Sequence, residues 1–258
     1  MKENMILNKM NDHQQVVGTF FETIGTSIVE CLGIAGLDFF IVDFEHSTFT
    51  AESLLDIVHT AELREMSTLV RIKETSRSNV LRPLDVGVQG LIIPNIRTVE
   101  EVKQVVSWGK YAPVGERGFF LSRVTDFGFN ENVANLDEFF ADRNKETLII
   151  PQCETVECLD VIEEICALDG VDGIFVGPYD LTIALGIPAQ FDHPLYTEAL
   201  ARIYQACRDN NKFTFIFGAD TVQARRYKEY GFDAITCSMD ASLMIQAFKD
   251  MLETVKED

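Results

Sequence analysis

The residues best suited to chemistry follow a short apolar run near the start of the chain. Residues 39–42 read Phe-Phe-Ile-Val, and Asp43, Glu45 and His46 come directly after them. A short apolar run bounded by polar residues is typical of a strand buried on both faces of a parallel sheet. Titratable groups at the carboxyl end of such a strand are typical of an active site. The alternative is a helix start capped by Ser47 or Thr50, which explains Glu45 better than His46.

Polar residues also lie within or after three later apolar runs. Arg71 lies within Leu-Val-Arg-Ile, Gln152 and Glu154 follow Leu-Ile-Ile-Pro, and Asp180 follows Ile-Phe-Val-Gly-Pro-Tyr. Gln152 and Glu154 are two residues apart, so both point to the same side of a strand. An unpaired guanidinium in a buried strand is very unfavourable, so we expect Arg71 to face an acid or an anionic ligand.

Glu154 and Asp180 are expected at the tips of neighbouring strands. Two carboxylates in one site repel each other unless one is protonated or a cation lies between them. Two hard oxygen ligands without a nearby His or Cys indicate Mg²⁺ or Mn²⁺, with water and substrate completing the coordination. Alternatively, each acid serves a helix amino terminus, which is at least as common a role.

These groups suit the chemistry of 2-oxo acids. A divalent metal would act as a Lewis acid on the ketone and carboxylate oxygens. Arg71 would stabilise the enolate oxygen, and His46 would transfer protons. A Schiff-base mechanism needs a lysine at the end of a strand. Lys73 is the nearest candidate, and it is disfavoured because Arg71 already takes the inward position.

A faint internal repeat predicts the architecture that positions these groups. Four segments begin with glycine and continue into a strand-like apolar run: 36–42, 87–93, 170–176 and 231–237. Further strands are predicted at 16–21, 68–72, 147–150 and 213–217. Helices are predicted from apolar spacing at 51–65, 79–86, 99–108, 136–143, 156–167, 194–210, 222–230 and 241–255.

Eight strand–helix units in about 250 residues predict an α/β fold, a (β/α)8 TIM barrel. We expect residues 1–258 to form one such domain. A doubly wound open sheet is the alternative, and it is disfavoured because no glycine-rich phosphate-binding pattern follows a strand.

One stretch, residues 110–144, is longer than a strand–helix unit and is predicted to be an irregular insertion. Pro113 and Gly115 force an irregular path near its start. Long excursions from a compact domain are often lids or binding loops. Exposed Phe119 and Phe120 would suit an oligomer contact equally well.

The composition excludes several classes of function. The net charge is −19, from 22 basic and 41 acidic residues, which argues against nucleic acid or an anionic membrane surface as a partner. No apolar run approaches the roughly 20 residues of a membrane span, and the polar amino terminus does not resemble a signal peptide. The six cysteines form no CxxC pair, which favours reduced thiols. We therefore expect a cytoplasmic protein.

The ordered motifs of the chain resemble those of the HpcH/HpaI aldolase family, the metal-dependent class II pyruvate aldolases. The resemblance covers about residues 17–242 and is carried by Asp43, Glu45, His46, Val70, Arg71, Asp85, Gly87, Gln89, Gly90, Pro94, Pro113, Gly115, Arg117, Gly118, Gln152, Glu154, Gly177, Pro178, Asp180 and Leu181. It implies a (β/α)8 barrel that reversibly cleaves a 4-hydroxy-2-oxo acid into pyruvate and an aldehyde. It also implies a homo-oligomer, either a trimer or a hexamer.

The resemblance implies a divalent metal cofactor and a set of ligands. Mg²⁺ is the first expectation, with Mn²⁺ or Co²⁺ as alternatives. Glu154 and Asp180 would bind the metal. The substrate would contact Arg71, Gln152, Asp180 and the backbone of Tyr179.

The resemblance also implies catalytic roles. His46 would accept a proton through a bound water, with Asp43 nearby. Arg71 would stabilise the transition state, and Asp85 would raise the basicity of His46.

The chain departs from the family pattern at residues 119–123, which read Phe-Phe-Leu-Ser-Arg, a bulkier run than usual. Such loops shape the aldehyde half of the pocket, so the identity of the aldehyde is not predicted. Two other functions are kept beside the aldolase: another enolate-forming lyase or decarboxylase, and a non-catalytic barrel that binds a 2-oxo acid.

Overall fold

The chain folds as a closed barrel of eight parallel strands. The computed structural model describes residues 3–256. The strands are β1 Val16–Phe21, β2 Phe39–Asp43, β3 Ser67–Arg71, β4 Gly90–Ile93, β5 Leu148–Cys153, β6 Gly173–Val176, β7 Phe213–Gly218 and β8 Ala234–Met239. Each strand pairs with the next along the chain, and β8 pairs with β1 to close the barrel. The predicted (β/α)8 architecture is confirmed.

Helices alternate with the strands. They are α1 Met5–Asn11, α2 Thr26–Ala35, α3 Ala51–Leu63, α4 Arg77–Val86, α5 Val99–Gly109, α6 Leu136–Glu146, α7 Val156–Asp160, α8 Ile162–Cys166, α9 Pro178–Ala184, α10 Pro194–Asp209, α11 Thr221–Tyr230 and α12 Asp240–Lys256. The helix predicted at 156–167 is two short helices, because Val161 leaves helical geometry with ψ of 19°. Within residues 3–256, none of the helices is long and apolar enough to cross a membrane.

Helix α1 covers the amino-terminal end of the barrel, although the sequence analysis predicts no helix there. Asn4 caps the helix, with its side-chain oxygen accepting from the Leu7 backbone N–H at 3.4 Å. Ile6, Leu7 and Met10 are buried in the same apolar cluster as the side chains of the barrel interior. The helix therefore forms the floor of the barrel, opposite the end at which the site is expected.

Side chains alternate between the barrel interior and the helix layer along each strand. On β2, Phe39 and Ile41 belong to the interior cluster, whereas Phe40 and Val42 belong to the cluster between strands and helices. The next inward position after Ile41 is Asp43, at the carboxyl end of the strand.

The same two-residue step applies on β3 and β5. Leu69 is an interior residue, and Arg71 follows it by two. Ile150 is an interior residue, and Gln152 and Glu154 follow it at two-residue steps. The apolar interior therefore ends in charged and polar side chains at the carboxyl end of the barrel.

The stretch between α5 and α6 has no strand and contains two short 3₁₀ segments, Arg123–Gly128 and Glu131–Ala134. Phe119 contacts the rings of Phe139 and Phe140 on α6, with centroids 6.0 and 5.8 Å apart. Phe119 therefore packs within the chain, contrary to the expectation that both phenylalanines are exposed. Phe120 is 76% exposed.

Candidate active site

A buried ion pair lies where β2 and β3 end. Asp43 and Arg71 are register partners on these strands. Arg71 donates from Nε and Nη2 to the two carboxylate oxygens of Asp43 at 2.9 and 2.7 Å. Asp43 is fully buried, and the Arg71 side chain is 13% exposed. A bidentate pair of this kind fixes the plane of the guanidinium, so Asp43 aims Arg71.

Arg71 also contacts Glu45 and Phe20. Its Nε lies 3.3 Å from a Glu45 oxygen, and its Cζ lies 4.7 Å from the Phe20 ring centroid. Burial alone would lower the pKa of Arg71, but the hydrogen bond and the charge of Asp43, together with Glu45, raise the pKa above its usual value. The group is therefore a permanent cation. No hydrogen bond within residues 3–256 engages Nη1, which leaves that nitrogen available to a ligand.

His46 is the proton-transfer candidate at the mouth. Its side chain is 67% exposed, and its Nε2 lies 3.7 Å from an oxygen of Glu45. Burial raises the pKa of Glu45, although Arg71 and His46 oppose the rise. The backbone N–H of Glu45 donates to Asp43 at 3.0 Å, which fixes the turn after β2. A histidine beside a carboxylate at the mouth of a cavity is placed to transfer protons to and from a ligand.

Glu154 is buried against Gln152 and the backbone of Asn95. Its Oε1 accepts from the Asn95 N–H at 2.6 Å, and its Oε2 accepts from Nε2 of Gln152. Asn95 follows β4 in a left-handed conformation with φ of 54°, and this turn aims its N–H at Glu154. Burial raises the pKa of Glu154 to about 7; the bond from Asn95 opposes the rise, and repulsion from Asp180 adds to it.

The oxygen atoms of Glu154 and its neighbours fit the ligand preference of a hard divalent cation. A cation relieves the repulsion between Glu154 and Asp180, and carboxylate oxygens are the ligands that Mg²⁺ prefers. Oε1 of Gln152 is buried without a partner among the described residues, so a further oxygen acceptor lies beside them. Across residues 3–256, no cluster of three or more His, Cys, Asp and Glu side chains is suited to a metal. Water and substrate would therefore complete the coordination of an ion held by Glu154 and Asp180.

A cavity of about 200 Å³ opens between these groups at the barrel mouth. It combines polar side chains with an aromatic wall: Glu22, His46, Arg71, Gln152 and Asp180, with Phe20, Phe175, Tyr179 and Phe217. An adjoining hollow shares His46, Arg71 and Asp180 and extends to Glu154. The predicted residues of β2, β3, β5 and α9 therefore surround one opening, with Asp43 beneath Arg71.

Asp85 is placed elsewhere. It lies near the end of α4, where its Oδ1 accepts from Nη2 of Arg117 at 2.9 Å, and it lines neither hollow. Within residues 3–256, the acid beside His46 is Glu45. The expected role of Asp85 in raising the basicity of His46 therefore has no supporting contact in a single chain.

Two residues at the mouth, Glu22 and Asn95, are not among the predicted site residues, and Glu45 is predicted at the strand end without a catalytic role. Glu22 lies two residues after inward Phe20, and Glu45 lies two residues after inward Asp43, so the alternation that places Arg71 inward also points to them. Asn95 contributes a backbone N–H, which any residue could supply, so nothing in its identity reveals it.

Comparison with known proteins places the chain among lyases. Residues 17–247 match the sequence profile of HpcH/HpaI aldolase/citrate lyase. A 5-keto-4-deoxy-D-glucarate aldolase from Klebsiella pneumoniae subsp. pneumoniae is 29% identical over 246 residues, covering 95% of this chain and 94% of that protein. An Escherichia coli protein of the same name is 31% identical over 229 residues, covering 88% and 87%.

A solved structure agrees with this assignment. The HpcH/HpaI aldolase from Desulfitobacterium hafniense DCB-2 aligns with a TM-score of 0.89 and 32% identity, covering 97% of this chain and 96% of that chain. The fold, the polar strand ends and these relatives lead to the same conclusion. The chain belongs to the HpcH/HpaI aldolase/citrate lyase family and is a carbon–carbon lyase.

Proposed function

We propose that this lyase is a metal-dependent pyruvate aldolase that reversibly cleaves a 4-hydroxy-2-oxo acid into pyruvate and an aldehyde. The observation that carries the proposal is the ion pair of Asp43 and Arg71 at the mouth, with Nη1 of Arg71 unused. A fixed cation beside a cavity suits a reaction in which negative charge develops on one oxygen. The relatives from Klebsiella pneumoniae and Escherichia coli are aldolases of a deoxy-keto sugar acid, which supports the same substrate class.

In the cleavage direction, the bond between C3 and C4 of the substrate breaks. The 4-hydroxyl loses its proton to His46 through a water, and C4 becomes the aldehyde carbon. The electron pair of the broken bond moves toward the 2-oxo group, whose oxygen gains negative charge. Nη1 of Arg71 donates a hydrogen bond to that oxygen and stabilises the charge. Return of a proton to C3 then gives pyruvate.

Asp43 and Glu45 act through their neighbours. Asp43 holds the guanidinium of Arg71 in one plane through two hydrogen bonds. Glu45 lies between Arg71 and His46, 3.3 Å from one and 3.7 Å from the other. A carboxylate in that position stabilises the imidazolium that forms when His46 accepts a proton.

We propose Mg²⁺ as the cofactor, held by Glu154 and Asp180, with Mn²⁺ or Co²⁺ as substitutes. A divalent cation bound there supplies Lewis-acid polarisation of the 2-oxo group. Gln152 and Tyr179 line the same cavity. The side chain of Gln152 and the backbone of Tyr179 would contact the 2-oxo acid. The raised pKa of Glu154 supports this assignment, because an added positive charge favours its ionised form.

We further propose that the protein is a homo-oligomer, a trimer or a hexamer. Helix α12 exposes a row of apolar side chains, which include Leu243, Ile245, Phe248, Met251 and Val255. An exposed apolar surface of this kind is typical of a protein interface. Light scattering on the purified protein should give a multiple of the chain mass, and a monomer mass would contradict this proposal.

The aldolase proposal is tested by following pyruvate release with lactate dehydrogenase over a panel of 4-hydroxy-2-oxo acids. Release should stop with EDTA and return with Mg²⁺, Mn²⁺ or Co²⁺. Arg202→Ala is a matched control for Arg71→Ala, because Arg202 forms an exposed pair with Glu163 at 2.7 Å on the outer helices. The control should keep its activity.

Deuterium exchange of the pyruvate methyl group separates the other functions. Exchange without pyruvate release from any panel member would indicate a different enolate reaction, such as a decarboxylation. Neither exchange nor release in a folded, metal-supplied protein would indicate a non-catalytic barrel. Either result would contradict the aldolase.

A further inference from the structure

Glu22 is an acid at the cavity for which the proposed mechanism has no use. Phe20 on β1 belongs to the barrel interior, and Glu22 is the next position on the same side of the chain. Its side chain lines the cavity together with Phe20, Tyr179, Phe217 and Met239. An acid is therefore placed among apolar and aromatic side chains of the cavity lining.

The backbone at Glu22 is held firmly. Asp240, a buried residue at the start of α12, accepts from the N–H of Glu22 at 2.9 Å and from the N–H of Thr23 at 3.1 Å. The hydroxyl of Thr23 donates to the same carboxylate. These contacts fix the edge of the mouth above β1, so the Glu22 side chain projects from a defined point.

The carboxylate of Glu22 is unpaired. Within residues 3–256, no hydrogen bond or ion pair engages its side-chain oxygens. Arg71 is the one arginine or lysine among the residues that line the cavity, and it is already paired with Asp43. Burial raises the pKa of Glu22, and repulsion from Asp43 and Asp240 adds to the rise, while Arg71 and His46 oppose it.

The place of β1 in the barrel decides which half of the substrate Glu22 meets. The 2-oxo half belongs with Gln152 on β5, with Glu154 directly after β5, and with Asp180 on α9. In a ring of eight strands in chain order, β1 lies opposite β5. His46, which acts on the 4-hydroxyl, follows β2, the neighbour of β1. A substrate extending from β5 past His46 therefore presents its aldehyde half to Glu22.

We infer that Glu22 selects the aldehyde half of the substrate: it accepts a hydrogen bond from a hydroxyl on an uncharged hydroxyaldehyde and repels an aldehyde that carries a carboxylate. This inference rests on the proposed aldolase function. An acceptor that a bound ligand shields from water without supplying a donor is unfavourable, and like charges placed close together are also unfavourable. The substrate class is then a 4-hydroxy-2-oxo acid with one carboxylate and a hydroxylated tail. A glucarate derivative, which carries a carboxylate at both ends, would be a poor substrate.

The experiment compares aldehydes in the addition direction, with pyruvate and Mg²⁺ in excess. The probes are glyceraldehyde, which has hydroxyls, propanal, which has neither hydroxyl nor charge, and succinic semialdehyde, which has a carboxylate. The wild-type chain should show the highest kcat/KM with glyceraldehyde and the lowest with succinic semialdehyde. In Glu22→Gln, the ratio between these two should fall by about 10- to 100-fold. Glu22→Lys should shift the preference toward succinic semialdehyde.

Two controls make the result specific. Glu30→Gln removes the same charge from α2, where Glu30 forms an exposed pair with Arg64 at 2.8 Å, and it should leave the ratio unchanged. Glu22→Asp keeps the charge and should keep the order of the three aldehydes, which guards against a folding defect in the other variants. Deuterium exchange of the pyruvate methyl group needs no aldehyde and should be the same in wild type and Glu22→Gln.

The outcomes separate the inference from the proposal beneath it. Normal methyl exchange with an unchanged aldehyde ratio in Glu22→Gln would overturn the role of Glu22 and leave the aldolase intact. A wild-type preference for succinic semialdehyde would overturn the role of Glu22 as well. Absence of both exchange and addition in the wild type would overturn the aldolase and this inference together.

Discussion

Two ion pairs at opposite ends of the barrel share one chemistry and differ in their surroundings. Asp43 and Arg71 lie at the carboxyl end, beside the cavity. Lys110 and Asp172 lie at the amino-terminal end, 2.8 Å apart, where α5 ends and β6 is about to begin. The Lys110 side chain is only 2% exposed, so both cations are enclosed by protein.

The difference lies in how completely each cation is paired. Nζ of Lys110 donates to the carbonyl of Asn144 at 2.7 Å and to the carbonyl of Thr147, in addition to Asp172. An ammonium has three donors, and all three are used. Arg71 keeps one nitrogen without a partner among the described residues. Burial of a charge is thus common to both ends, and unused hydrogen-bonding capacity beside a cavity distinguishes the end that binds a ligand.

Replacing Arg71 with alanine should have the largest effect. Turnover should fall by about 10²- to 10³-fold, because a donor to the developing oxyanion is removed. Mg²⁺ affinity should fall far less, since Glu154 and Asp180 remain. Steady-state kinetics and calorimetric Mg²⁺ titration measure the two quantities. Equal losses in turnover and Mg²⁺ affinity would contradict the assigned role of Arg71.

Replacing Lys110 with methionine should affect stability alone. Removing one partner of a buried pair destabilises a protein by about 3–5 kcal/mol, because the other charge is left without compensation. Urea denaturation should show this loss, while kcat of the folded fraction stays within about twofold of wild type. The double variant Lys110→Met/Asp172→Asn should recover part of the stability. A large fall in kcat for Lys110→Met would contradict the view that only the ion pair at the carboxyl end of the barrel takes part in the reaction.

The smallest expected effect is the contribution of Glu154 to the pH dependence of the free energy of unfolding. Burial raises the pKa of Glu154 from 4.5 to about 7. The folded chain therefore binds more protons than the unfolded chain between these values, so the contribution of Glu154 to stability is full below pH 4.5 and is lost as pH rises toward 7. The loss should reach about 3 kcal/mol in EDTA.

Urea midpoints at several pH values should show the effect of Glu154 as a difference between wild type and Glu154→Gln. Glu157→Gln is the matched control, because Glu157 is an exposed acid that pairs with Arg97 at 2.6 Å. The control should keep the pH dependence of wild type. Saturating Mg²⁺ should reduce that dependence, since the cation favours ionised Glu154. If the urea midpoints of wild type and Glu154→Gln changed with pH in parallel, the raised pKa of Glu154 would be refuted.

The part of the site that depends on strand alternation could be predicted from sequence. Gln152 and Glu154 are predicted to share one side because side chains recur on that side every two residues along a strand. Arg71 is predicted because a guanidinium within an apolar strand needs a partner. The alternation rule, applied to the end of the first strand, would have found Glu22. Such residues are predictable because their direction is determined locally.

Features that depend on distant contacts could not be predicted in this way. The pair between Asp85 and Arg117 joins residues 32 positions apart, and no local pattern links them. Lys110 gave no signal, because a lysine after a helix is usually solvated. Helix α2 is not among the predicted helices. It buries only Val29, so its apolar periodicity is weak, and a glycine flanks each end.

The contact of Asp240 with Glu22 and Thr23 has a consequence for synthesis of the chain. It joins positions 218 and 217 residues apart, so the edge of the mouth above β1 is made by the first strand and the last helix together. Glu154 and Asp180, the proposed cation ligands, are made much earlier. A nascent chain could therefore assemble its cation ligands while the opposite edge of the mouth is still unformed. Emergence of Asp240 from the ribosome is then the event that completes this edge of the mouth.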